Sequence, residues 1–85
     1  MDYSSRTVLV SGGAEGIGFA IAKALGTEGM NVVLGDINAQ SLQKALRQLE
    51  ALHINCTGLV MDVVKPEDWQ RAVALATDQY GALHA

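Results

Sequence analysis

The sequence predicts an α/β fold, a doubly wound parallel sheet truncated to its first three strand–helix units. Three short apolar runs indicate strands near residues 6–11, 31–36 and 56–61, and each is followed by a segment with helical periodicity. Continuous apolar runs are typical of parallel strands that are covered on both faces. Because strands that alternate with helices form parallel sheets, we expect the spatial order 3-2-1 with right-handed crossovers.

The first unit contains the most informative segment, Ser11–Gly18, with the sequence SGGAEGIG between an apolar run and a helical pattern. A glycine-rich turn at this place lets backbone N–H groups approach a pyrophosphate, and the helix N-terminus adds a partial positive charge. Three glycines have separate predicted roles. Gly12 permits the tight exit from the strand, Gly16 lets the backbone come close to the phosphates, and Gly18 lets the helix pack against the sheet.

The first helix has one apolar face by its periodicity. The residues on it are Ile17, Ala20, Ile21, Ala24 and Leu25. Gly26 near its end costs some helix stability, and Gly29 stands where a left-handed helix stop is expected.

The second unit places an acidic residue, Asp36, at the end of its strand, where it could accept hydrogen bonds from a ribose diol. The alternative is a solvated carboxylate at a strand end. Asn38 and Ser41 are both N-cap candidates for the second helix. Its apolar face, which we assign to core packing, contains Leu42, Ala45, Leu46, Leu49 and Leu52.

The third strand spans Cys56–Met61 with an interruption at Gly58, and Asp62 ends it. Pro66 suits the first turn of the third helix, where nearby acidic residues complement the helix dipole, and Gly81 ends that helix. The face of this helix contains Trp69, Ala72, Val73, Ala76 and Tyr80.

Composition excludes several classes of function. The chain has 85 residues and a net charge of −3, and its six basic residues are scattered, which argues against a nucleic-acid partner. Cys56 has no partner for an internal disulfide, and with His53 and His84 it forms no metal-ligand spacing. Without a signal sequence or a run of about 18 apolar residues, we expect a cytoplasmic protein with no membrane partner.

Four motifs give the chain a family resemblance: SGGAEGIG, Gly35-Asp36, Asp62-Val63 and the closing YGALHA. Together, in this order and spacing, they resemble the amino-terminal part of a classical short-chain dehydrogenase/reductase. The resemblance implies a Rossmann fold, NAD(P)-dependent interconversion of alcohols and ketones, and a chain that forms the amino-terminal half of the cofactor domain over residues 1–85. Ser11 stands where the family more often has threonine, and it keeps the hydroxyl.

We assign cofactor binding to the glycine-rich turn and to the ends of the second and third strands. The assigned residues are Gly12, Glu15, Gly16, Ile17, Gly18, Asp36, Asp62 and Val63. The resemblance implies that Asp62 bonds the adenine amino group and that the Val63 N–H contacts the ring. Otherwise Asp62 is only a turn residue.

The charge near the ribose indicates NAD rather than NADP. Glu15 lies just before Gly16, and Asp36 is followed by the uncharged Ile37. Because carboxylates repel a 2′-phosphate, NADP is disfavoured.

The resemblance also implies catalytic groups that this chain does not contain. The family uses a tyrosine, a lysine and a serine, with an Asn-Asn-Ala-Gly stretch after the fourth strand. Tyr80 and Tyr3 both lack a lysine four residues later. We therefore assign no catalytic residue and expect no dehydrogenase activity from these 85 residues.

Two alternatives stay open at this point. The first is a non-catalytic nucleotide-binding half-domain. The second is a Rossmann domain of a nucleotide-sugar epimerase or a methyltransferase, which the glycine spacing and the Asp62-Val63 pair disfavour.

In the expected strand order, a fourth strand would lie against the first. We therefore expect the first strand to be an exposed apolar edge. Later strands and helices would supply partners that are lost here to Val8, Val10, Ile17 and Ile21. Such an edge favours self-association, and a complete protein would form a homo-oligomer.

Overall fold

The structure, a computed structural model, describes residues 6–81, 83 and 84 as a three-stranded parallel sheet with three helices. The elements in chain order are β1 (Thr7–Ser11), α1 (Gly16–Thr27), β2 (Asn31–Asp36), α2 (Ala39–Ala51), β3 (Cys56–Val60) and α3 (Pro66–Tyr80). The sheet order is β1-β2-β3, and both strand pairs are parallel. The predicted fold class, strand order and strand positions are confirmed, while Tyr3 lies outside the described residues.

The strand register aligns the carboxyl ends of all three strands at one edge of the sheet. Ser11 pairs with Gly35, and Asp36 pairs with Val60. Beyond the strands, the Gly13 N–H donates to the Gly35 carbonyl at 3.2 Å, and the Met61 N–H donates to the Asp36 carbonyl at 3.0 Å. The turn after each strand therefore begins next to its neighbour.

The core lies mainly between the sheet and the pair α1 and α2. Val32 and Leu34 on β2 are fully buried and belong to one cluster with Leu42 and Leu49 of α2. Because side chains alternate along a strand, Val33 faces the opposite layer. There α3 packs on β1 and β2.

The predicted apolar face of α1 is mostly exposed, and of its five residues only Leu25 packs against the core. Ile17 is 81% exposed and Ile21 is 46% exposed, whereas Ala22 and Gly26 are buried. The reason is close packing: a Cβ added at Gly26 would lie 2.5 Å from Cγ2 of Ile54. Gly26 faces inward because the helix lies too near Ile54 at this point for a larger residue.

The prediction that β1 is an exposed apolar edge is wrong for its side chains, because Val8 and Val10 are only 5% and 9% exposed. Both α1 and α3 pack on β1, so the faces of this strand are covered. Ile17 and Ile21 are exposed, and the partners that later strands and helices would supply to them stay a prediction.

At the edge of β1 that faces away from β2, His84 forms hydrogen bonds with Thr7, the first residue of the strand. Arg6 uses its carbonyl to accept from the Asn31 N–H of β2, so the backbone groups of Thr7 point to the opposite edge. There the His84 N–H donates to the Thr7 carbonyl at 2.9 Å, and the Thr7 N–H donates to His84 Nδ1 at 3.0 Å. His84 thus lies where the resemblance predicts a fourth strand.

The helix boundaries follow the predicted signals. Asn38, rather than Ser41, caps α2, and its side chain accepts from the Ser41 N–H. Pro66 occupies the first turn of α3, and Gly29 and Gly81 have the positive φ expected at helix ends.

Gly58 does not interrupt β3, which is continuous through it. A Cβ at Gly58 would lie 2.9 Å from the Leu34 carbonyl oxygen, so close backbone approach explains the glycine. Over the described part of the chain, the helices lack the length and apolar character of a membrane span.

Candidate functional site

The glycine-rich turn between β1 and α1 has the conformation that its sequence predicts. Gly12 has φ 64° and Gly16 has φ 59°, values that side-chain-bearing residues rarely adopt. A Cβ built at either position would meet no atom of the described residues within 4 Å. The outer surface of the turn is therefore open, and its backbone is accessible to a ligand.

Gly18 is required for a different reason. A Cβ at this position would collide with the carbonyl oxygen of Gly12 and lie 3.1 Å from the Cα of Gly13. The first turn of α1 thus packs directly onto the glycine-rich turn. The close packing predicted for Gly18 is made with this turn rather than with the strands of the sheet.

Asp36 is not merely a solvated carboxylate at the end of β2. Its Oδ2 accepts from the Ala14 N–H at 3.2 Å, and its Oδ1 accepts from the Asn38 N–H at 2.9 Å. A carboxylate offers about four acceptor positions, so two remain for a ligand. Asp36 therefore joins the glycine-rich turn to the segment that follows β2.

Glu15 precedes α1 as its N-cap residue, but its side chain does not cap that helix. Instead, Glu15 Oε1 accepts from the Ser41 hydroxyl of α2 at 2.8 Å. The Ser41 N–H in turn donates to Asn38 Oδ1 at 2.9 Å. With the two bonds of Asp36, these contacts close a hydrogen-bonded ring, the turn–helix ring, made of Asp36, Ala14, Glu15, Ser41 and Asn38.

The sequence indicates Asn38 and Ser41 only as N-cap candidates and gives no sign that they join the site. The bond between Glu15 and Ser41 joins residues 26 positions apart. No local sequence pattern predicts such a contact. The polar residues after Asp36 are the only local sign that this segment could join the site.

Asp62 lies after β3 and forms a turn, as its alternative interpretation predicts. Its Oδ1 accepts from the Val64 N–H at 3.1 Å. Its backbone N–H donates to Asp68 Oδ2 at 2.8 Å, and the Trp69 indole N–H donates to the Val63 carbonyl at 2.8 Å. Two residues of α3 thus hold the Asp62-Val63 segment at the same sheet edge as Asp36.

Asp68 is one of the acidic residues near Pro66 that the sequence indicates only as complements to the helix dipole. The hydrogen bond from the Asp62 N–H holds the pKa of Asp68 below its ordinary value, and Arg71, 3.3 Å away, adds to the effect. Asp68 is therefore ionised at neutral pH and accepts from the turn that follows β3.

Two titratable residues of the described chain away from this edge, Tyr80 and Cys56, have raised pKa values. Burial raises the pKa of Tyr80, and the charge of Cys56 adds to it. Burial and Glu50 likewise raise the pKa of the Cys56 thiol. Across residues 6–81, 83 and 84, His, Cys, Asp and Glu form no cluster suited to a metal ion.

The fold and the edge with its glycine-rich turn define a nucleotide-binding type of α/β domain, and comparison identifies the family. The family model for short chain dehydrogenases matches residues 6–85, and the chain belongs to this family. The C alpha-dehydrogenase of Sphingobium sp. strain SYK-6 is 37% identical over 71 residues, which are 84% of this chain and 23% of that protein. Cyclohexanol dehydrogenase of Acinetobacter sp. strain SE19 is 33% identical over 82 residues, 96% of this chain and 33% of that protein.

Solved structures show the same arrangement of elements. The apo form of LigD from Sphingobium sp. strain SYK-6 has a TM-score of 0.90 at 34% identity, covering 94% of this chain and 34% of that one. A short-chain dehydrogenase/reductase from Burkholderia phymatum, solved in complex with NAD, shares the fold with a TM-score of 0.93 at 24% identity, over 99% of this chain and 30% of that one. The chain therefore spans about a quarter to a third of the length of these relatives.

Proposed function

We propose that this chain binds the adenosine diphosphate half of NAD at the carboxyl edge of its sheet. One observation carries the proposal: the Asp36 carboxylate accepts from the Ala14 N–H of the turn that contains Gly12 and Gly16. The residue predicted to bind the ribose is therefore joined to the turn predicted to bind the phosphates. Family membership supports a dinucleotide as the ligand.

Each group on the edge suits one part of the cofactor. The open turn presents backbone N–H groups and the N-terminus of α1 to the pyrophosphate, beside Ile17 and Gly18. The two free acceptor positions of Asp36 bind the adenosine ribose. Asp62 and the Val63 N–H contact the adenine, on a segment that Asp68 and Trp69 hold in place.

We infer a preference for NAD over NADP from the carboxylates of Glu15 and Asp36. Both belong to the turn–helix ring, so both negative charges stay beside the ribose position. In a protein of the relatives' length, Asp36→Arg should lower the ratio of kcat/KM for NAD to that for NADP, because arginine supplies a phosphate partner. Asp36→Asn is the control for the lost charge alone, and an unchanged ratio in Asp36→Arg would show that Asp36 is not the selector.

The activity proposed for a protein of that length is hydride transfer between NAD and an alcohol or ketone. Two relatives are described as dehydrogenases, which supports an oxidoreductase. We assign no catalytic residue among these 85 residues, so the contribution of the chain is to bind and orient the cofactor.

NMR titration of the 15N-labelled chain with NAD tests the binding proposal directly. We expect shifts concentrated in residues 12–18, at Asp36 and at residues 62–64. Gly16→Val should abolish them, because its φ of 59° is strained for valine and the side chain would cover the open turn. Gly81→Val is a matched control, since Gly81 has φ 86° and equally open surroundings but lies at the end of α3. No saturable shifts, or an equal loss in both variants, would contradict the proposal.

A further inference from the structure

We propose, on the basis of the function proposed above, that Ser41 is a positioning residue for cofactor choice. Its hydroxyl fixes the Glu15 carboxylate beside the ribose position and so strengthens the exclusion of a 2′-phosphate. Ser41 acts through Glu15 and has no direct contact with the cofactor.

The turn–helix ring carries this inference. The Ala14 N–H donates to the carboxylate of Asp36, which we propose binds the ribose. Glu15 is the next residue in the chain after Ala14. The Ser41 hydroxyl then donates to Glu15 Oε1 at 2.8 Å. Both acids are therefore tied to the first turn of α2, on the side of the site where the chain leaves Asp36.

Ser41 restrains a side chain that would otherwise move freely. Glu15 is exposed, and a glutamate side chain has several rotatable bonds, so its charge is diffuse unless a partner holds it. The Ser41 N–H is itself bound to Asn38 Oδ1, which fixes the backbone from which the hydroxyl extends. The result is a charge with a defined position at the entrance to the site.

An alternative partner for Glu15 lies in the same cleft. The cleft between the glycine-rich turn and α2 is lined by Ala14, Glu15, Ser41, Lys44, Ala45 and Gln48. Without the Ser41 hydroxyl, we expect the Glu15 carboxylate to turn toward the Lys44 ammonium in this cleft, which would offset its charge and move it from the ribose position. The exclusion of a 2′-phosphate would then weaken.

The test measures the dissociation constants of NAD and NADP by NMR titration of the full 85-residue chain and its variants. We expect Ser41→Ala to lower the ratio of the NADP constant to the NAD constant about two- to fivefold, the range for an exposed charge interaction. Ser41→Thr, which keeps the hydroxyl, should restore the ratio. Gln43→Ala removes an exposed polar side chain from the same helix and should leave the ratio unchanged.

A double-mutant cycle separates positioning from general stability. In a Glu15→Gln background, Ser41→Ala should not change the ratio further, and high salt should shrink the difference between Ser41→Ala and the unmodified chain. An unchanged ratio in Ser41→Ala, or an equal change in both backgrounds, would overturn the role of Ser41 alone. Failure of the unmodified chain to bind NAD would overturn the proposed function and this role with it.

Discussion

At the scale of single residues, the acids near the strand ends all have structural partners in the protein. Asp36 accepts from the backbone of two turns, Glu15 accepts from Ser41, and Asp68 accepts from the Asp62 N–H. The site is therefore organised by contacts that need no ligand. Such preorganisation lowers the entropy that a bound cofactor would have to offset.

Asp68 gives a prediction for acid stability. Its pKa is lower in the folded chain than in the unfolded chain, chiefly because of the bond from the Asp62 N–H. Its contribution to stability is therefore fully present above the unfolded pKa of about 4 and is lost as the pH falls through the folded value. We expect Asp68→Asn to flatten the fall in Tm at acid pH.

Thermal melts followed by circular dichroism between neutral pH and about pH 2.5 measure this slope. Glu67→Gln is the control, because it makes the same charge change in the same helical turn. If Asp68→Asn and the unmodified chain lost Tm in parallel over the acid range, the Asp62 turn would not depend on the charge of Asp68.

At the scale of elements, the sequence predicts the buried face of a helix well when only one face is apolar. The leucine spacing of α2 correctly indicates Leu42, Ala45 and Leu49 as buried, although Leu52 at its end is exposed. In α1 nearly all positions are apolar or small, so periodicity does not decide which face is inward. Packing distance decides it, and only the structure shows that distance.

In the site, too, the features set by neighbouring residues are predictable from the sequence, and the contacts between distant segments are not. The glycine-rich turn and Asp36 follow from local spacing and strand ends, and their conformations agree with that prediction. The turn–helix ring requires two segments to meet in space. A sequence without aligned relatives contains no signal for the contact between Glu15 and Ser41.

Gly26 provides the test for the packing of α1. Replacing glycine by alanine inside a helix ordinarily stabilises it by up to about 1 kcal/mol. Here the new Cβ would lie 2.5 Å from Cγ2 and 2.9 Å from Cδ1 of Ile54, a buried β-branched side chain. We expect Gly26→Ala to destabilise the chain by about 1–3 kcal/mol, as overpacking does.

Urea denaturation measures this change in the free energy of unfolding. Adding Ile54→Val to Gly26→Ala shortens the colliding side chain and should recover part of the loss, giving a favourable coupling between the two sites. Greater stability in Gly26→Ala than in the unmodified chain would show that α1 does not pack as closely as described.

At the scale of the whole molecule, both faces of the sheet are covered near β1, but residues 6–81, 83 and 84 leave two surfaces beside it largely uncovered. One is the edge of β1, along which His84 bonds Thr7. The other is the outer face of α1 with Ile17 and Ile21. The chain spans about a quarter to a third of the length of the curated relatives it matches.

This arrangement predicts that the 85-residue chain self-associates and is only marginally stable. A domain this small buries a limited fraction of its surface, and exposed isoleucines with an open strand edge favour contact between copies. Sedimentation velocity over a range of concentrations should show a rising average mass, and Tm should rise with concentration.

The double variant Ile17→Lys with Ile21→Lys should reduce association, because two charges would meet at the contact. Leu52→Lys is a matched control, since Leu52 is 49% exposed at the end of α2 and far along the chain from β1. A monomer with a sharp, concentration-independent melt would contradict this prediction and would favour a chain that folds and binds its nucleotide alone. Association that persists in the double variant would instead assign it to the β1 edge.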